Sequence, residues 1–175
     1  MTHLGPLARA VGVVGLVAAV GAYVAPAFAG PAETELLKSY EGTWRGKGVL
    51  KGTSNDPVTC RMSLTDGNDD KVNYSGRCLI EGANLSINGT LAYIEGNQRY
   101  EGAMTSNVNF SGVAVGKKQG GGIVFNLKSR GSAENANYEI NAGITLTPGV
   151  ITVDFRATDV SSGKMVSATV PFAKS

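Results

Sequence analysis

Residues 85–93 read Leu85-Ser86-Ile87-Asn88-Gly89-Thr90-Leu91-Ala92-Tyr93. Leu85, Ile87, Gly89, Leu91 and Tyr93 share one parity; Ser, Asn, Thr and Ala fill the other. Side chains of a strand point alternately to its two faces, so this pattern predicts a strand with one buried and one wet face. The alternation continues both ways along the chain. Upstream, Trp44, Gly46, Gly48 and Leu50 form one set, Val58, Cys60, Met62 and Leu64 a second, and Tyr74, Gly76, Cys78 and Ile80 a third. Downstream come sets opened by Tyr100, Val108, Ile123, Tyr138, Ile151 and Val166. The opposite parity carries mostly Asn, Ser, Thr, Lys, Arg and Glu, as expected for an antiparallel sheet solvated on one side.

Turn-forming clusters separate the sets. They include Asp66-Gly67-Asn68-Asp69-Asp70, Glu95-Gly96-Asn97-Gln98, Gly120-Gly121-Gly122, Pro148-Gly149 and Ser162-Gly163. Such short connections make consecutive strands antiparallel. A two-residue turn at Gly96-Asn97 would pair Tyr93 with Tyr100 and Leu91 with Gly102 on the inner face. One continuous sheet with one apolar face must close or find a partner sheet, and inner-face glycines help it bend. The prediction is an all-β fold, an antiparallel up-and-down meander β-barrel of about 8–10 strands.

The chain begins with a different texture. Arg9 precedes an apolar run from Ala10 to Val24, followed by Pro26 and by Ala27-Phe28-Ala29. This layout predicts a signal peptide over residues 1–29, cleaved after Ala29. The run is shorter than the ~20 apolar residues of a spanning helix, and no later stretch is long enough. Residues 30–42 form the next segment, with a short helix expected over Pro31–Tyr40 near one mouth of the barrel. Pro31 suits a first turn, and Gly42 can end the helix. Residues 43–175 make the barrel domain, in a periplasmic or secreted protein.

Export restricts the chemistry. It removes His3, the only histidine, and with it Ser-His-Asp, Cys-His and imidazole-metal sites. No nucleophile–base pair is visible, so the reading is not an enzyme, with no cofactor and no metal. The formal net charge of +2 falls further with the loss of Arg9, which argues against nucleic acid as a partner. Asp66, Asn68 and Asp70 mimic the start of a calcium loop, but Lys71 and Arg77 stand where Gly and Glu are needed. A solvated hairpin tip is the better reading, with Lys117 and Lys118 expected in a loop at the same end.

Cys60 and Cys78 test the strand scheme. A hairpin centred on Asp69 places them opposite each other on the inner face, within reach of a disulfide. The same register sets Arg61 against Arg77 outside, an unfavourable like-charge pair. Either the register slips there or the pair serves an anion.

The inner-face tyrosines need hydrogen-bond partners if buried. Tyr74, Tyr93, Tyr100, Phe110, Phe125, Tyr138 and Phe155 are the candidate ligand-lining residues. Gly42-Thr43-Trp44, after a short helix and at the first strand, resembles the Gly-x-Trp signature of the calycins: lipocalins, fatty-acid-binding proteins and avidins. The resemblance implies a basic side chain from the last strand over Trp44, and Lys174 has the matching parity. The disulfide pairing and the lack of a C-terminal helix depart from lipocalins. An early Gly-x-Trp followed by two cysteines also resembles small periplasmic metalloprotease inhibitors, though this chain is longer.

Two readings follow. The leading one is an exported, non-enzymatic barrel that binds a small, largely apolar ligand inside. The alternative is a protein-interaction module of the cell envelope, an inhibitor or scaffold with a packed barrel. Its functional tail or loop would be Gly30–Gly42 or Gly116–Gly122. An outer-membrane barrel is disfavoured, because polar outer faces would meet lipid.

Overall fold

The computed structural model describes residues 29–52, 54–133 and 136–175; of the signal peptide expected over residues 1–29, all but Ala29 lies outside them. Helix α1 spans Ala29–Lys38. Ten strands follow: β1 Gly42–Lys51, β2 Asn55–Asp66, β3 Val72–Ile80, β4 Ala83–Ile94, β5 Arg99–Ser106, β6 Ser111–Gln119, β7 Gly122–Ala133, β8 Ala136–Thr147, β9 Val150–Asp159 and β10 Met165–Lys174. Each pairs antiparallel with its sequence neighbours, and β10 returns to β1 to close the barrel. Closure removes the two edge strands that an open sheet would present to another chain.

The registers follow the alternation. Cys60 lies opposite Cys78, and Tyr93 and Leu91 lie opposite Tyr100 and Gly102. Arg61 faces Arg77 without slippage. The strands tilt, so a ladder row climbs as it crosses them. The row Lys174–Trp44–Met62–Gly76–Ile87–Ser106 starts at the helix end of the barrel and finishes at the other.

Three local details depart from the sequence reading. The helix lies two residues earlier at each end than Pro31–Tyr40. Its last turn tightens through hydrogen bonds from Tyr40 N to Leu37 O and from Glu41 N to Lys38 O. Gly42, at φ +136°, then swings the chain into β1. The β4–β5 connection is four residues, not two: Glu95–Asn97 form one 3-10 turn and Gln98 is left-handed at φ +48°. Lys117 and Lys118 belong to β6, since Gly120 turns the chain tightly enough for Lys118 to pair with Ile123.

Candidate functional site

The interior has two unlike halves. The first is the mouth where β1 begins, which α1 plugs. Leu37 on α1 is fully buried, and Tyr40, Trp44, Leu64, Val72, Leu91, Tyr100, Ile123, Phe125, Leu146, Ile151 and Phe172 are buried around it. Removing such side chains from water is the main stabilising term, about 1.5–3 kcal/mol each.

Polar latches hold the plug on several sides. The Tyr100 hydroxyl donates to the Glu33 carboxylate, and Lys118 Nζ lies 2.8 Å from Glu33 Oε1. Burial alone would raise the Glu33 pKa, but hydrogen bonds from Lys118 and Tyr100 outweigh it and hold the carboxyl below its usual range. Burial and the facing Glu33 push the Tyr100 phenol up, so it stays a donor. Lys38 Nζ reaches Asp66 at 3.2 Å and Asp70 at 3.4 Å. Tyr40 donates to Leu146 O at 3.2 Å, and Trp44 Nε1 to Tyr40 O at 3.0 Å.

Gly42 and Trp44 belong to this plug. Lys174 Nζ stands 5.6 Å from the Trp44 ring centroid, a cation–π geometry. A Cβ on residue 42 would come within 2.6 Å of Lys174 Cε. The glycine is therefore required twice, by its φ and by the lysine that covers the indole.

The second half is the opposite mouth. Here inward-facing Leu50, Ile80, Ile87, Phe155, Val166 and Ala168 pack on the core yet keep part of their surface in solvent. Ile144, opposite Phe125, and Val153 are also partly exposed but lie between the halves, whereas Val58, Leu127, Ile140 and Ala157 of this half are buried. A Cβ on Gly76 would meet no side chain within 4 Å, only the carbonyl oxygens of Arg61 and Ile87 at 3.8 and 3.9 Å. At the rim, Asn109, Arg130, Tyr138, Glu139 and Val160 line a depression of about 540 Å³.

The disulfide Cys60–Cys78 joins β2 to β3 between the halves, with Cys60 buried and Cys78 partly exposed. Among the described residues no group of His, Cys, Asp and Glu is arranged to hold a metal ion. Asp66 and Asp70 are occupied with Lys38, and Asp69 with Lys71.

The seven aromatics grouped by parity divide between the halves. Tyr93, Tyr100 and Phe125 form a chain of edge-to-face rings under the plug, with centroids 5.1 and 6.1 Å apart. Tyr74 lies across Gly89 and donates to Ala103 O at 3.2 Å; burial pushes its phenol up. Phe110, Tyr138 and Phe155 belong to the opposite half, Phe110 buried and the other two partly exposed. Glu33 and Lys118 carry the latch, and periodicity gave no sign of it: they are 85 residues apart and meet only on closure.

No protein-family model matches the sequence, and no curated protein matches it. Among solved structures, the crystal structure of Rv2717c from M. tuberculosis is similar at a TM-score of 0.65 and 11% identity, covering 81% of this chain and 96% of that one. The S-type phycobiliprotein lyase CPES from Guillardia theta gives 0.49 at 11% identity, over 81% and 91% of the two chains. A de novo designed fluorescence-activating β-barrel gives 0.41 at 11% identity, over 79% and 95%. At such identity a likeness speaks of fold and not of function. No helix among the described residues is long and apolar enough to cross a membrane. What the chain shares with the first of these structures is its fold, a closed antiparallel β-barrel.

Proposed function

We propose that this protein is an exported, non-catalytic carrier that holds a small, largely apolar molecule in the half of the barrel opposite α1. The carrying observation is the unevenness of the interior: one mouth is sealed, while apolar side chains behind the other are left in partial contact with water. Such surface is costly unless something covers it. Phe155, Tyr138 and Phe110 would line the site with Leu50, Ile87 and Val166. A ligand covering about 200 Å² of that wall would gain roughly 5 kcal/mol before association costs, which fits a reversible carrier. The signal-like residues 1–29 and the Cys60–Cys78 bridge support an oxidising compartment, periplasmic or extracellular.

Native mass spectrometry of protein purified from its own envelope or medium tests this. The expected result is a fraction carrying added mass, lost in Phe155→Ala, with an N-terminus at Gly30. A species with no adduct, unaffected by added apolar probe dyes, would overturn the carrier reading. In that case capture of an envelope protein would favour an interaction module instead.

A further inference from the structure

The outer wall carries a segregated charge pattern. On β1, β2 and β3 the outward positions hold Arg45, Lys47, Lys51, Arg61 and Arg77, and no carboxylate. Arg45, Arg61 and Arg77 sit directly opposite one another on these three strands. Neighbouring strands are about 4.8 Å apart, so three guanidinium stems are stacked at the spacing where like charges repel. The row beside them, Thr43–Ser63–Ser75–Asn88, offers hydroxyl and amide groups. Arg61 and Arg77 with this polar row border a depression of about 360 Å³.

Across the closure Arg45 meets Ala173, so the cations first run along β1 through Lys47 to Lys51, about 20 Å from Arg45. Lys51 opens a second row, Lys51–Ser167–Arg156–Asn141–Lys128, over β1, β10, β9, β8 and β7. Its cations alternate with small polar residues and border a larger depression of about 650 Å³. One carboxylate lies in that depression, Asp154, which accepts a 2.6 Å hydrogen bond from Thr169. Asp56 and Glu81 stand at the open rim beyond it.

Elsewhere most cations are neutralised. Lys38, Lys71, Arg99, Lys118 and Arg130 each meet a carboxylate. Among the described residues, none of Arg45, Lys47, Lys51, Arg61, Arg77, Lys128 and Arg156 does. A chain of almost no net charge has thus gathered most of its unpaired cations into one belt.

We infer that this belt binds inorganic polyphosphate, a flexible single chain of repeated phosphate groups. Charge complementarity selects an anion, and the arginine stack with flanking hydroxyls suits phosphate oxygens. Geometry selects a chain over a membrane. The belt runs from β3 through β2, β1, β10, β9 and β8 to β7, contiguous strands that make up more than half the girth of the closed barrel. A flat bilayer touching Arg77 on β3 cannot also touch Lys128 on β7, whereas a flexible chain can follow the curve. The cationic side chains of the belt face outward, on the parity opposite to that of the residues proposed to hold a ligand inside.

Isothermal titration with inorganic polyphosphate, using the whole exported chain, tests the inference. Binding should weaken several tens of fold between about 50 and 200 mM salt if four or so phosphates are contacted. The variants R45S/R61S/R77S and K51S/K128S/R156S should each weaken it about tenfold or more. K71S/R99S/K164S removes the same charge elsewhere and should leave affinity within about twofold of the native value. Melting curves exclude unfolding, since relieving the arginine stack should not lower stability. The proposal is overturned if polyphosphate fails to bind at low salt, if the control triple loses as much as the belt triples, or if phosphatidylglycerol vesicles bind and polyphosphate does not.

Discussion

The two ends of the barrel are made of the same alternating strands and differ in what covers them. At the β1 end a ten-residue helix is docked by Leu37 and tied by Glu33, Lys38 and Tyr40 to strands β5, β6 and β8 and to the β2–β3 hairpin. At the other end, among the described residues, nothing comparable covers Phe155, Ile87 or Val166. A sheet with one apolar face solves its edges by closing, but closure leaves two mouths, and each needs its own solution. Here one is plugged by the chain's own helix, and among the described residues the other has no plug.

The sharpest way to break this comparison is to truncate one large side chain in each half. Trp44→Ala should cost about 3–5 kcal/mol, because a fully enclosed indole leaves a cavity and a stranded Lys174. Phe155→Ala should cost only about 1–2 kcal/mol, since part of that ring is already in water. Urea unfolding measures both. Equal losses would mean that the halves are equally packed.

The bridge between the halves comes next. Replacing Cys60 and Cys78 with Ser opens a loop of 18 residues and should cost about 3 kcal/mol. Reduction of the native protein should lower its melting temperature by a matching amount. If the loss were negligible, the β2–β3 hairpin would be held by its ladder alone.

That bridge also shows what a single sequence can carry. Period-two alternation and short turns state which face each residue takes and which residues pair, and Cys60–Cys78, Arg61–Arg77 and Tyr93–Tyr100 follow from turn positions. Parity says nothing of depth along the barrel axis. It grouped Tyr100 and Phe125 with Phe155, though the first two lie under the helix and the third lies beyond the reach of the plug. Depth depends on strand tilt, which is a property of the closed sheet. The latch Lys118–Glu33 was hidden for a related reason, since a surface lysine and a helix acid carry no mark of a partner so distant in the chain. Trp44 and Lys174 could be matched because the Gly-x-Trp resemblance implies a basic side chain over the indole, and strand order and parity placed Lys174 at that rim.

The latch offers a smaller test, with a sign. Glu33 has a pKa depressed in the folded protein, so its contribution is present above the unfolded value near 4.5 and is lost as pH falls through the folded value. The fluorescence of Trp44, the sole tryptophan, should therefore report loosening of α1 on acidification, at a pH below the ordinary carboxylate range. Tyr100→Phe removes one donor to Glu33, should cost about 1–2 kcal/mol, and should move the loosening to higher pH. An acid transition unchanged by this substitution would show that Glu33 does not hold the plug.

Single methyl groups make the finest test, and they sharpen the comparison most directly because their signs should differ. A Cβ on Gly46 would lie 2.7 Å from Val170 Cγ1 and 2.9 Å from the Phe172 ring, in the packed half. Gly46→Ala should therefore destabilise by about 1 kcal/mol or somewhat more through overpacking. A Cβ on Gly76 meets only the carbonyl oxygens of Arg61 and Ile87, at ordinary van der Waals distance, and its backbone does not have the positive φ that favours glycine. Gly76→Ala should then stabilise by about 0.4–1 kcal/mol, because alanine restricts the unfolded chain and nothing in the fold resists it. The position also bears on function. If the wall at Gly76 borders the proposed ligand site, Gly76→Leu should keep the protein folded and reduce the bound mass seen in native spectra. A destabilised Gly76→Ala would mean that this stretch of wall is packed as tightly as the plugged half, and the contrast between the halves would fail there.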